Sequence, residues 1–333
     1  MKRILQILLI ASILVCFFIF LKATDVRASF RLIKQLGLYS VFIPAITFLA
    51  GLIGASGWRY CIGSGAKPSL ARLFMIRQTG NTVTTFNPSG AIAGELFNAR
   101  MLIEEGVEKQ AAYQSVLLMR ILMILSQLSL FVVVSAQFMF FHSDGWSQGM
   151  RLAAGLCFLT LLAAISGLAF LLLWKKKETK TGSEVKKRHK IISRMGEMCL
   201  LLATHVRIHP VKTATAFLLF SVQWILGAAE LFFILYFLHN PVDMWDSLFL
   251  DTLIIVLKST VAFIPGQLGI EELINKFTLQ LLGPSSSVLW LPVSILRRAR
   301  QLFWTGIALL FYVQLKGGRE KTIKSHGDIV RQP

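Results

Sequence analysis

Apolar runs separated by short polar connections fill nearly the whole chain. Six of them, 4–21, 38–57, 113–141, 152–174, 213–238 and 288–315, approach or exceed the roughly 20 residues a spanning helix needs. Two further regions are equally apolar but interrupted: 70–103 is broken at Asn87-Pro88, and 248–282 at Pro265-Gly266. Each predicts a pair of short helices joined in a hairpin. The expected fold is therefore all-α: a polytopic membrane helix bundle of about six full spans plus two broken or re-entrant helical hairpins, with a possible internal repeat. A single transmembrane domain, 1–333, would hold an N-terminal half, 1–174, and a C-terminal half, 200–315. A basic loop, 175–199, joins the halves, and a basic tail, 316–333, follows.

Composition supports the membrane reading. Charged residues make up 16% of the chain, against about a quarter in soluble domains, and the mean hydropathy is +0.64. The formal net charge of +18 would suggest nucleic acid if the cations formed one folded face. They gather instead in the connections between apolar runs, which excludes a nucleic-acid partner and fits loops facing an anionic leaflet. The cysteines Cys16, Cys61, Cys157 and Cys199 are scattered without C-x-x-C spacing and suggest neither disulfides nor a metal site. The N-terminal run, though followed by a loose cleavage-like Val26-Arg27-Ala28, is longer than a usual signal-peptide core and is read as a retained first helix.

The connection 175–197 carries nine Lys or Arg against three Glu, making it the best cytoplasmic loop. The turn 239–246 has Asp243 and Asp246 without Lys or Arg and then faces the opposite side. For the basic tail to return to the cytoplasm, the interrupted region 248–282 must begin and end on one side. The basic stretch 22–34 resists this scheme and is read as a short amphipathic interfacial helix.

The two interruptions resemble one another. TFNPSGAIAGE (85–95) and AFIPGQLGIEE (262–272) both place Phe two residues before Pro, Gly after it and Glu seven residues beyond it. A basic residue, Arg77 or Lys258, precedes each. Interruptions at matching positions of two halves point to a transporter site, because unwound backbone at membrane depth is tolerated only beside a cavity or within protein.

An ionised group in the bilayer is costly and normally has a partner. Glu95, Glu271 and Glu272 follow the breaks, where a helix start favours an anion. Of the adjacent pair only one can readily face a cavity: repeat spacing selects Glu272, the motif below Glu271. Candidate basic partners are Arg100, Arg120, Lys258 and the cluster Arg297, Arg298 and Arg300, with a kink expected at Pro292. The planar fork of Arg suits an anionic headgroup. Glu230, a lone acid in an apolar run, reads equally as a relay or as a packing contact. His205 and His209 at i, i+4 lack a third ligand nearby, and no metal, cofactor or catalytic constellation is expected.

Three motifs carry a family resemblance. GNTVTTFNPSGAIAGELFNARML, FIPGQLGIEE and RRARQLFWTGIALL resemble, in order and spacing over nearly the whole chain, those of the lysylphosphatidylglycerol synthase transmembrane or flippase-like family. The wording around Gly94-Glu95 and Ala99-Arg100 leans toward the hopanoid-biosynthesis-associated branch. Gln267, where the family usually has Gly, and Ser89-Gly90 are departures that bear on substrate more than fold. The resemblance implies a multi-pass protein of the bacterial inner membrane that moves lipids between leaflets through a central cavity. Bifunctional relatives add a soluble aminoacyl-transferase domain; with only a short tail here, no synthesis of lysyl-lipid is expected.

The expected function is thus an integral membrane lipid translocase for an anionic or amphiphilic lipid, with a hopanoid as the narrower candidate. Its cavity would be built from Asn87, Pro88, Glu95, Arg100, Lys258, Pro265, Gly266, Gly269, Glu271, Glu272, Arg297, Arg298 and Arg300. The expected partners are membrane lipids, the anionic leaflet through 175–199, and lipid-biosynthesis enzymes. Two alternatives stay open: an accessory or intramembrane enzyme of lipid biosynthesis, and an ion-coupled small-solute transporter.

Overall fold

The computed structural model describes residues 31, 34–63, 68–87, 91–141, 155, 158–159, 207–260, 270–282 and 289–329. The expected helix 4–21, the loop 175–199 and nearly all of 152–174 lie outside them, as do Pro88, Pro265, Gly266 and Gly269.

The described residues are predominantly helical, with no strand among them. A 3-10 turn, Gly37–Val41, leads into α1, Phe42–Cys61. The first interrupted region forms α2, Leu70–Phe86, and α3, Ala91–Glu104. Then come α4, Lys109–Phe141, and α5, Pro210–Phe237. The second forms α6, Met244–Thr260, and α7, Ile270–Gln280, before α8, Trp290–Ile329. Among the described residues, three helical stretches are long and apolar enough to cross a membrane: Lys34–Cys61, Lys109–Gln137 and Pro210–Phe237. Their outward residues are large and apolar, Val133, Leu218 and Ile225 among them, as lipid contact requires.

Local chemistry explains the boundaries. Ser69 caps α2, its hydroxyl accepting from the Arg72 amide at 3.3 Å. Asn87 ends it in an extended conformation (φ −92°, ψ 133°), which the following proline enforces. Pro44, Pro210 and Pro292 all fall in the first turns of their helices, where a missing N–H costs nothing. Pro292 therefore starts α8 and does not kink it, contrary to expectation. The threonines of α2 return their hydroxyls to their own helix: Thr79 to Met75, Thr82 to Gln78, Thr84 to Gly80 and Thr85 to Asn81, at 2.9 to 3.2 Å. This back-bonding lets so polar a helix sit in an apolar surround.

The helices pack around two apolar cores stacked along the bundle. One, at the end where α1 finishes and α2, α4 and α5 start, gathers Trp58, Leu73, Leu102, Leu122 and Phe220. The other, at the end where α5 finishes and α6 and α8 start, gathers Ile43, Val134, Leu235, Ile254 and Leu296. Leu70 and Val107 both belong to the first core, so α2 and α3 enter from that end and return to it. Val242 and Leu282 both belong to the second, so α6 and α7 do the same from the opposite end. The region 248–282 thus begins and ends on one side, and the two hairpins are inverted with respect to each other. Helix α8 runs past both cores, with Val293 and Leu296 in the second and Phe311 and Leu315 against the first.

Small residues set the closest approaches. On α1, a Cβ at Gly51 or Gly57 would come within 2.7 Å of the Phe74 or Phe220 ring, and one at Gly54 would overlap the Arg77 guanidinium and the Gln223 amide. In the first hairpin a Cβ on Gly94 would strike Thr84 and the Gly80 carbonyl. Glycines three residues apart on one face of α1 let α2 and α5 draw in close, as small residues do in membrane bundles.

Candidate functional site

Between the two apolar cores lies a cavity of about 490 Å³, lined by α1, α2, α5, α6, α7 and α8. Four cationic side chains face it, Arg77, Lys258, Arg297 and Arg300, with three carboxylates, Glu230, Asp251 and Glu271. Spacing along each helix produces this gathering. Gln223 and Glu230 on α5 are seven residues apart, as are Asp251 and Lys258 on α6, which is two turns on one face. On α8, Arg297, Arg300, Gln301 and Trp304 recur at i, i+3, i+4 and i+7.

Three ion pairs tie the lining together. Arg297 pairs with Asp251, both with side chains only 6% exposed. Arg300 pairs with the buried Glu230, and Lys258 meets Glu271 at 3.0 Å. Gln301 also donates to Glu271 at 3.3 Å. Helix α8 is thereby anchored by charge to α5 and α6, and to α7 by the Gln301 amide. Buried ions cost several kcal/mol each in desolvation, so each of these acids needs its cation. Arg77 differs. Its Nη2 donates to Gln223 Oε1 at 2.8 Å and Nη1 to the Gly51 carbonyl at 3.4 Å, and no carboxylate pairs with it among the described residues. Trp304 of the lining donates to Thr47 Oγ1 at 2.7 Å and lies parallel to Phe48, with centroids 6.2 Å apart.

The sequence-derived candidates divide. Lys258, Glu271, Arg297 and Arg300 line the cavity. Glu272 does not; it pairs with Arg298, a residue away from the lining face of α8. The choice left open between the adjacent acids thus falls on Glu271. Glu95 is also off the lining, 3.4 Å from Arg120 of α4, and it sits in the second turn of α3, so the helix-start argument holds only for Glu271 and Glu272. Arg100 is 76% exposed and pairs with Glu104 one turn along the same helix, at 3.3 Å, away from the cavity. Asn87 is buried at the end of α2 and outside the lining.

Asp251 and Gln223 escaped the sequence reading, and Arg77 and Glu230 were noticed without being placed in the site. Polar residues seven apart in apolar helices were the available signal, since 223 with 230 and 251 with 258 obey it.

A family model described as the lysylphosphatidylglycerol synthase TM region matches residues 3–309, and the chain belongs to that family. No match to a curated protein or to a solved structure accompanies it.

Proposed function

We propose that this member of the family is a lipid translocase of the bacterial inner membrane, carrying an anionic lipid headgroup between leaflets through the central cavity. The observation that carries the reading is one cavity, at the depth between two apolar cores, where inverted broken hairpins bring seven ionisable side chains together. Inverted repeats around a midplane site are the architecture of alternating access. In this mechanism the hairpins rock about the cavity, and the Lys258–Glu271 pair, which joins the two arms of the second hairpin across its break, opens and closes with them. The three ion pairs leave the lining with an excess of one cation, which favours an anionic cargo. The end bearing Arg59, Arg72, Lys109 and Lys212 faces the cytoplasm by the positive-inside rule, with the acidic turn at Asp243 outside. A hopanoid cargo is the narrower proposal, resting on the motif wording alone.

The test uses purified protein in phosphatidylcholine vesicles with a fluorescent lipid whose outer-leaflet fraction is bleached by dithionite. Glu271→Gln and Arg300→Ala should slow lipid movement by about tenfold or more, consistent with losing one charged contact each. Wild-type rates in both variants, with normal insertion, would remove the cavity from the mechanism.

A further inference from the structure

The translocase reading leaves open which headgroup the cavity takes; we infer that it is a monoanionic phosphodiester bearing a neutral hydroxylated group, with its phosphate on Arg77. The inference rests on that reading for its lipid source and on the lining for its chemistry. Arg77 is 5% exposed and faces the cavity, and its guanidinium meets only neutral acceptors among the described residues. The segments 88–90 and 261–269, outside the described residues, contain no Asp or Glu. The other three cations of the lining each hold a carboxylate. A buried guanidinium in this state calls for an anion from outside the protein: Nη1 and Nη2 serve only the Gly51 carbonyl, Gln223 and, at 3.5 Å, the weakly accepting Met123 Sδ, which a phosphodiester oxygen would replace as the stronger acceptor. Gln223 fixes one edge of the guanidinium fork from α5, and the missing side chain at Gly54 leaves room for it.

Charge balance then selects the rest of the headgroup. The lining carries four cations against three anions. One phosphodiester brings the sum to zero, whereas a zwitterionic headgroup leaves a net positive charge in a low-dielectric site. An ammonium would also need a carboxylate of its own, and all three are already paired. The remaining lining is neutral and hydrogen-bonding: Asn81, Thr82, Thr85, Ser259 and Thr305. Thr82, Thr85, Ser259 and Thr305 donate their hydrogens to their own helices, so their oxygens are left to accept. The second oxygen of Glu230, buried without a donor, is a further acceptor. Such a set fits the O–H groups of a glycerol or sugar.

The test is equilibrium binding to the full chain in phosphatidylcholine nanodiscs, read by energy transfer from tryptophan to acyl-labelled phosphatidylglycerol or phosphatidylethanolamine. Phosphatidylglycerol should bind at least about tenfold more tightly, since a charged hydrogen bond corresponds to one to two decades in affinity. Arg77→Gln should remove most of that preference while leaving phosphatidylethanolamine within about twofold. Arg77→Lys, which keeps the charge and loses the fork, should fall between. Equal affinities for the two lipids, or equal losses for both in Arg77→Gln, would overturn the inference. Selective binding without movement between leaflets would uphold the headgroup and sink the translocase reading. Movement of both lipids at one rate would do the reverse. Soluble glycerophosphoglycerol displacing the lipid at equal concentration would uphold the chemistry and make the cargo a solute.

Discussion

Replacing Asp251 by Asn leaves a nearly isosteric side chain and removes the partner of Arg297, whose side chain is 6% exposed. Breaking a buried pair from one side costs roughly 3 to 5 kcal/mol, because the surviving charge stays buried. Two features of the cavity decide where in that range the variant falls. Glu230 and Glu271 both lie within electrostatic reach of Arg297 and would share it, which argues for the lower end. Against this, Arg297 Nε already lacks a hydrogen-bond partner, so no spare bond absorbs the loss. The expected cost is therefore about 3 kcal/mol, measured as reversible unfolding in mixed detergent micelles. Adding Arg297→Gln should recover at least half, since a neutral amide pair replaces an orphaned ion. The exposed pair Arg100–Glu104 supplies the contrast: Arg100→Ala should cost no more than about 0.5 kcal/mol. A loss below about 1 kcal/mol for Asp251→Asn, or a double variant as unstable as the two single losses added, would refute the view that this pair is desolvated and mutually dependent.

Gly54→Ala should abolish lipid movement and cost about 1 to 3 kcal/mol in the same unfolding measurement, because its methyl would occupy space held by Arg77 and Gln223. Glu271→Gln should impair transport more than stability and Glu272→Gln the reverse, as read by parallel dithionite and unfolding assays, since only Glu271 lines the cavity. Cysteines at Lys212 and His239 should react with a membrane-impermeant maleimide from opposite faces of the membrane; labelling from the same face would contradict the inverted hairpins.

The helical architecture was legible because it follows from lengths of apolar run and from proline positions, both local properties. The runs 38–57, 113–141, 213–238 and 288–315 became α1, α4, α5 and α8 with shifts of a few residues, apart from α8, which continues beyond its apolar part to Ile329. The interrupted regions likewise gave helix pairs, Leu70–Phe86 with Ala91–Glu104 and Met244–Thr260 with Ile270–Gln280, on either side of Pro88 and Pro265-Gly266, which themselves lie outside the described residues. The site was legible only in part, because membership in it depends on which face of a helix a residue occupies. Arg297 and Arg298 are adjacent and chemically equal, yet a rotation of about 100° sends one to the cavity and the other to Glu272. Asp251 sat in an apolar run with no motif to mark it, and only its distance of two turns from Lys258 betrayed its face.

The matching acids of the two interrupted regions do not share the cavity role that their positions suggest. Glu95 and Glu272, each seven residues after its proline, are the matching acids, and neither lines the cavity. Both pair with an arginine of the next long helix in the chain, Glu95 with Arg120 of α4 and Glu272 with Arg298 of α8. The matched position is thus a strut that fastens each returning half-helix to the helix that follows it. A helix of 11 or 14 residues is too short to be held at its depth by its own length, so a charged tie to a longer neighbour fixes its position. The asymmetry between the halves then becomes informative. The second hairpin adds a further acid, Glu271, turned toward Lys258 and the cavity, whereas the residue before Glu95 is Gly94, pressed against Thr84 and the Gly80 carbonyl. The first hairpin is therefore closed by backbone contact and offers Arg77 without a carboxylate among the described residues, while the second is closed by an ion pair inside the cavity. An anion entering as proposed would meet a fixed cation on one side and a breakable pair on the other. On the proposed translocase mechanism, that difference would let cargo binding move one hairpin and not both.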